Sequence, residues 1–176
     1  MSGLAAPLSS GAVKLVPLAE PHRAALKAAC AADPDIWDIY YRDFGPGGFD
    51  AEFDTLIAND WVSFAAFEGE RLVGMSSYIG IDAGRGELEI GATYYHPDVR
   101  GTSFNRTVKD LLIRHARRCG FHRILFRVDD RNKRSQAAVR KLGAEQVEYR
   151  KADRVTWTGH LRDTVVFALD ARAWRG

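Results

Sequence analysis

The sequence predicts a single α/β domain in which a mixed, mostly antiparallel central sheet of about six or seven strands is covered by about four helices. Three observations lead there. The 176 residues fall within the range of one domain with a sizeable core. A hydrophobic content of 46% beside 27% charged residues is that of a folded globular chain, not a disordered one. The hydrophobic periodicities run β, α, α, β, β, β, α, β, α, β, β: an antiparallel meander, then a strand reached through a helix, which lies parallel to its predecessor if the two pair.

Residues 1–11 are rich in Gly, Ser and Ala and are expected to form a flexible lead, with the folded domain running over 12–176. AVKLVP reads as a short strand. PLAEPHRAALKAACAADPDIWDIY has the apolar spacing of one or two helices, broken at Asp33-Pro34 because a proline pushes the residue before it out of the helical region. RDFGPGGFD is a loop by its Gly and Pro content, and AEFDTLIAND returns to helix. WVSFAAFEGERLVGMSSYIGI holds two β-rich runs around Glu68-Gly69-Glu70, a hairpin signal.

In GELEIGATYYH, strict alternation puts Leu88, Ile90, Ala92 and Tyr94 on one face and Glu87, Glu89 and Thr93 on the other, so two carboxylates look the same way. From Phe104 to Cys119 the apolar residues fall on a helical stripe, with Gly120 where a helix-ending glycine belongs. HRILFRVDD follows as a strand, then NKRSQAAVRKLG as a helix capped by Asn132 and stopped by Gly143. AEQVEYRK and RDTVVFALD close the chain as strands around a turn at Thr158-Gly159.

The net charge of +2 hides a polarity. Residues 1–99 carry 6 Lys/Arg against 15 Asp/Glu, whereas residues 100–154 carry 16 against 6. The basic stretch opens at HPDVRGTSFNRTVKDLLIRHARRCG, where a small, hydroxyl-rich loop runs into the long helix. Helix starts ordinarily favour acids, so Arg106 and Lys109 there point to a bound anion. A helix N-terminus offers unpaired backbone N–H groups and the positive end of a dipole, so Val99 to Asn105 is a candidate phosphate loop. Gly101 would allow close backbone approach, with Thr102 and Ser103 as further donors. No G-x-x-x-x-G-K-[ST] and no G-x-G-x-x-G occurs. Cys30 and Cys119 form neither a metal-ligand spacing nor a disulfide framework, and no metal is expected. No apolar run is long enough for a membrane span and the first residues lack signal-peptide features, so the expected location is the cytoplasm.

The element order, the R-G-T-S-F-N loop and the downstream N-x-x-S-x-x-A-x-x-K-L-G-A, read as Asn132, Ser135, Ala138, Lys141, Leu142, Gly143 and Ala144, resemble the GCN5-related N-acetyltransferase (GNAT) superfamily. RSQAA at 134–138, RDTVVF at 162–167 and Trp174 resemble its ribosomal-protein-alanine acetyltransferase-like branch. The resemblance covers about residues 12–174. It implies acetyl-CoA as co-substrate, its pyrophosphate on the loop Val99, Arg100, Gly101, Thr102, Ser103, Phe104 and Asn105, with Asn132 and Ser135 as distal contacts. Two departures stand out: Ser103 and Asn105 occupy positions where the family pattern has glycines, and Val139 stands where many members carry a tyrosine acid.

The implied reaction is transfer of an acetyl group to a primary amine, of a protein N-terminus or a small molecule, by direct attack in a ternary complex. Such an amine must be neutral, and a lysine-like amine with a pKa of about 10.4 needs a base more than an α-amine near about 8 does. Glu89 is the candidate base, with Glu87 as its alternative. Tyr94, Tyr95 and His96 are candidates for positioning or for core. The acidic first half suits a cationic acceptor near Asp33, Asp35, Asp38 and Asp43, with Trp37, Tyr40 and Tyr41 as its pocket or its support. A catalytically silent acyl-CoA-binding or regulatory domain is the competing class. Nucleic acid is not an expected partner, because the basic residues are not interleaved with aromatics. Sheet edges leave room for a homodimer.

Overall fold

The computed structural model describes residues 3–176. The β-rich runs assemble into one sheet: β1 (Leu8–Ser10), β2 (Val13–Pro17), β3 (Val62–Glu68), β4 (Arg71–Asp82), β5 (Glu87–Tyr95), β6 (Arg123–Asp129), β7 (Glu145–Val155) and β8 (Leu161–Asp170). Their order across the sheet is β1-β2-β3-β4-β5-β6-β8-β7, antiparallel throughout except between β5 and β6. The helices are α1 (Arg23–Ala31), α2 (Phe49–Ala58), α3 (Phe104–Arg118) and α4 (Lys133–Lys141). Asp33-Pro34 ends α1 and starts a 3-10 turn over Pro34–Ile39, as the proline requires. Every expected element is present, and the eighth strand is β1.

That strand corrects the expectation of a flexible lead over its described part, residues 3–11, residues 1 and 2 lying outside the described residues. Leu8 to Ser10 pair with Leu15 to Val13 through a turn at Gly11, whose φ of 58° suits glycine. Leu4 is 2% exposed and packs into the main core, its carbonyl accepting a hydrogen bond from His115 Nε2 at 3.1 Å. In a small-residue background Leu4 and Leu8 are the apolar side chains that fix residues 4–10 to α3 and the sheet.

The sheet divides two cores. One face packs Phe64, Tyr78, Leu88 and Phe167 against Val108, Leu112 and Ile113 of α3, and takes in Val139 and Leu142 around α4. The other packs Ala65, Met75 and Tyr94 against Leu26 of α1, Phe49 and Phe53 of α2, and Trp37. Burying one such side chain stabilises by about 1.5–3 kcal/mol, and truncating a fully buried Leu112 to Ala would cost about 2–5 kcal/mol. The buried Tyr78 hydroxyl is satisfied by donating to Leu112 O at 2.7 Å.

Two irregularities position the site. First, β5 and β6 pair only through Glu87↔Arg123, Leu88↔Ile124 and Glu89↔Leu125. Beyond Glu89 and Leu125 the strands part, β5 following β4 and β6 following β8. Second, β5 bulges: its register against β4 jumps between Ser77 and Met75, and Ala92 sits at φ 45°. The bulge inverts the alternation that the sequence suggests. Tyr94 falls on the α1 side, its hydroxyl donating to Ala29 O at 2.8 Å, while Tyr95 joins Leu88 and Ile90 on the α3 side. Gly74 makes this possible, because a Cβ there would lie 2.0 Å from Tyr94 O.

Candidate active site

A cavity of about 930 Å³ occupies the gap between the parted strands, at the carboxyl ends of β5 and β6. Gly101, Thr102, Asn105, Asn132 and Ser135 line one end, Thr93, Lys109, Phe126 and Val139 the middle, and Glu89, Tyr40, Tyr41, Arg127, Arg154 and Arg162 the other.

The first end is built by the start of α3. A 3-10 turn over Pro97–Val99 leads into Gly101 at φ 78°, where a Cβ would meet no neighbour within 4 Å. The amides of Gly101, Thr102, Ser103, Asn105 and Arg106 have no hydrogen-bond acceptor within the described chain, so a crown of five N–H groups stands open. The Thr102 hydroxyl is occupied locally, donating to Val99 O at 2.8 Å and accepting from Phe104 N at 3.1 Å.

The expected loop residues therefore divide. Gly101, Thr102 and Asn105 face the cavity, and Ser103 is exposed beside it. Val99 and Phe104 are buried beneath, Phe104 standing edge-on to Tyr95 at 5.2 Å, so their side chains support the loop from the core. Arg100 clamps it: Nε donates to Tyr95 O at 2.8 Å, the guanidinium pairs with Asp33, and it lies 5.3 Å over the Tyr94 ring. Arg106 reaches Lys141 O at 3.2 Å and stacks on Trp174, tying α3 to the end of α4. Asn132 caps α4, its Oδ1 accepting from Ser135 N at 3.0 Å, and both line the cavity.

The two candidate bases separate. Glu87 pairs with Arg123 at 2.8 Å, where β5 and β6 are still zipped, and does not reach the cavity. Glu89 does, at 8% exposure and paired with Arg127. Burial raises its pKa above the ordinary value even though Arg127, Arg154 and Arg162 pull the other way. Lys109 comes from α3 into the opening itself. Its Nζ donates to Thr93 Oγ1 on β5 at 2.9 Å and lies 5.8 Å from the Phe126 ring on β6. Burial lowers its pKa to about 7, against the attraction of Glu89. This corrects the expectation that Lys109 faces an anion at the helix mouth, since the bulge that brings Thr93 to it lies on another element.

At the far end the acids do not gather as expected. Asp33 is bound to Arg100, Asp43 Oδ1 accepts from Gly45 N at 2.8 Å, and neither they nor Asp35 and Asp38 line the cavity. Tyr40 and Tyr41 do line it, whereas Trp37 is core at 1% exposure. His96 caps its own turn by accepting from Asp98 N at 3.2 Å, outside the cavity. The β7–β8 hairpin closes this end, its Trp157 indole donating to Trp37 O at 2.9 Å. Among the described residues no group of His, Cys, Asp and Glu is placed to hold a metal ion, and no helix is long and apolar enough to cross a membrane.

Comparison with known proteins bears on this geometry. The model of the acetyltransferase (GNAT) domain matches residues 13–145. No curated protein matches the chain. Among solved structures, a probable acetyltransferase of the GNAT family from Chromobacterium violaceum superposes with a TM-score of 0.85 at 28% identity, over 96% of this chain and 87% of that one. RimJ of Mycobacterium smegmatis, in complex with CoA-disulfide, gives 0.77 at 19% identity, over 95% and 87%. A ribosomal-protein alanine acetyltransferase from Vibrio fischeri gives 0.77 at 14% identity, over 97% and 100%. With the family model spanning most of its length, the chain belongs to the GNAT acetyltransferase domain family.

Proposed function

We propose that the protein transfers the acetyl group of acetyl-CoA to a primary amine by direct attack in a ternary complex. The observation that carries this is the parting of β5 and β6 beyond Glu89 and Leu125, with five open amides at one end of the gap and a buried carboxylate at the other. The pyrophosphate of acetyl-CoA suits the crown around Gly101, and the missing glycines at 103 and 105 are no obstacle, since Ser103 and Asn105 leave their amides open. Arg100, Val99 and Phe104 hold that loop in shape, and Asn132 and Ser135 flank the cofactor chain. The structural neighbour solved with CoA-disulfide supports a CoA-type ligand in this fold.

Acetyl-CoA supplies an activated acyl carbon and a thiolate leaving group. Glu89, directly or through a water, takes a proton from the acceptor ammonium. The freed nitrogen lone pair adds to the thioester carbonyl carbon; as the tetrahedral adduct collapses, the nitrogen gives its second proton to solvent, the C–S bond breaks, and its electron pair leaves on sulfur. Val139 lines the cavity where many relatives carry a tyrosine, so no hydroxyl stands there to protonate the thiolate. Lys109, held between the two strands with a pKa of about 7, takes that part: its ammonium gives a proton to sulfur and recovers one from Glu89 or solvent.

Release of CoA thiol from acetyl-CoA, followed across a panel of α-amines, amino acids, polyamines and lysine-like amines, tests the proposal. Acceptor-dependent release, reduced by Glu89→Gln, is the expected result. Acetyl-CoA binding with no release above the hydrolysis control for any amine would make the chain a silent acyl-CoA-binding domain.

A further inference from the structure

The acceptor end of the cavity carries a cation that no carboxylate among the described residues pairs with directly. Three acids approach its β6–β8 wall, and each already holds its own guanidinium. Glu89 is paired with Arg127. Asp129 is chelated by Arg131, with Oδ1 at 3.1 Å from Nε and Oδ2 at 2.9 Å from the terminal nitrogen. Asp153 holds Arg154 at 2.9 Å and accepts from the Thr164 hydroxyl at 2.9 Å. A fourth cation, Arg162, is left over.

Arg162 is 8% exposed, lines the cavity and has no carboxylate within ion-pair distance among the described residues. Its one hydrogen bond is to a neutral carbonyl, Arg127 O, at 3.2 Å, and its Nε is buried with no partner. The Nε of the neighbouring Arg127 is likewise buried and unpartnered. Directly across the β7–β8 ladder from Arg162 stands another cation, Arg154, so the strand pairing itself opposes like charges. Asp129, Asp153 and Glu89 attract Arg162 from a distance, but a guanidinium stays protonated at any physiological pH, and a buried one with no paired carboxylate and an unpartnered Nε is unfavourable. Such an arrangement is tolerated where a ligand brings the missing anion.

We propose that the acceptor is an amine that also carries a carboxylate, its amino group directed to Glu89 and its carboxylate received by Arg162 together with Arg127. This rests on the acetyltransferase reading and narrows its substrate class. It narrows the expectation of a cationic acceptor, since any positive charge beyond the reacting amine would meet three arginines here. The β7–β8 hairpin, bound to the Trp37 region through Trp157, encloses this end and favours a free amino acid over a protein terminus. Ile36, Ile39 and Tyr41 on the opposite wall suit an apolar side chain.

The test uses binding of product analogues, so it does not depend on turnover. Calorimetry on the full chain saturated with CoA compares N-acetyl-L-leucine with N-acetyl-L-leucinamide, which differ only in the anion. The carboxylate should bind at least about tenfold more tightly, consistent with a charge-assisted bidentate contact. Arg162→Gln should remove the difference while CoA affinity and melting temperature confirm that the variant is folded, and Arg162→Lys should restore part of it. A second pair, acetylated Ala-Asp-amide against Ala-Asn-amide, separates the two sources of a carboxylate: preference for the acidic dipeptide over N-acetyl-L-leucine would assign the anion to a protein N-terminus. Equal affinity within both pairs, a preference unchanged by Arg162→Gln, or no binding at millimolar concentration would overturn the proposal. CoA binding retained in those cases would leave the acetyltransferase reading standing, whereas failure to bind CoA would remove both.

Discussion

Replacing Lys109 by Met should make the protein more stable and less active. The side chain is 6% exposed, and its pKa falls from 10.5 to about 7 on folding because burial disfavours the charged form. The unfolded chain keeps its proton up to about 10.5, whereas the folded chain releases it above about 7. Unfolding between those values therefore takes up a proton, so stability rises with pH across that window, and the full penalty applies below it. Each tenfold change in proton affinity is about 1.4 kcal/mol, so the buried ammonium opposes folding by on the order of 4 kcal/mol at pH 7. Met fills the volume, and the lost hydrogen bond to Thr93 costs about 1 kcal/mol, since the Thr93 hydroxyl keeps Ser76 Oγ at 2.7 Å. The net gain is about 3 kcal/mol, or about 6–12 °C in Tm for a chain of this length. Urea denaturation of both proteins from pH 6 to 10 checks it: the difference between them should shrink steadily above pH 7. A destabilised Lys109→Met, or a difference independent of pH, would refute the reasoning. Loss of activity alongside the gain in stability separates a functional lysine from a merely tolerated one.

Three further outcomes follow from the same geometry. Glu89→Gln should lower kcat/KM by about 10²- to 10⁴-fold with acetyl-CoA affinity little changed, and it should abolish an acid limb that in the wild type lies above the usual carboxylate range, because burial raises the Glu89 pKa and the base acts only when ionised. Gly91→Ala places a Cβ 2.8 Å from Glu89 Oε1 and 2.9 Å from Ile79 Cδ1, so the carboxylate must swing aside; steady-state kinetics should show kcat falling about 10- to 100-fold, with the Kd for acetyl-CoA nearly unchanged. Gly101→Asp forces a side chain onto φ 78° and sets an anion among the open amides, so calorimetry should show acetyl-CoA binding weakened by at least about tenfold, with roughly 1–3 kcal/mol of stability lost to strain.

The elements were legible because their signals are local. Asn132 caps α4 and Gly120 and Gly143 stop their helices, each decided within a few residues of chain. The loop at Gly101 was legible for the same reason: small residues before a helical stripe leave amides open whatever lies around them. What escaped sequence reading depends on distant contacts. The bulge at Ala92 forms because Gly74, on the neighbouring strand, lets Tyr94 O approach, so alternation along β5 alone puts Tyr94 on the wrong face. Its place in the first turns of α3 assigns Lys109 to an anion at the helix mouth, whereas the bulge sets Thr93 against it and holds it in the gap between the strands. The acids of the first half looked like an acceptor surface, but Asp33 is bound to Arg100, 67 positions away, and the cations that face the acceptor end come from β6, β7 and β8. Leu4 was misjudged because composition weighs Gly and Ser equally, while one well-placed leucine is enough to anchor a segment.

Acetyl-CoA binding to the gap between β5 and β6 is the claim on which the rest stands, and the shift in melting temperature with acetyl-CoA, beside ATP and NAD, tests it most directly. At about 100 times its Kd the ligand should add roughly 2.7 kcal/mol, a rise of about 5–11 °C for a chain of this length, with acetyl-CoA and CoA but with neither nucleotide control. No shift with millimolar acetyl-CoA, or an equal shift with ATP, would contradict it.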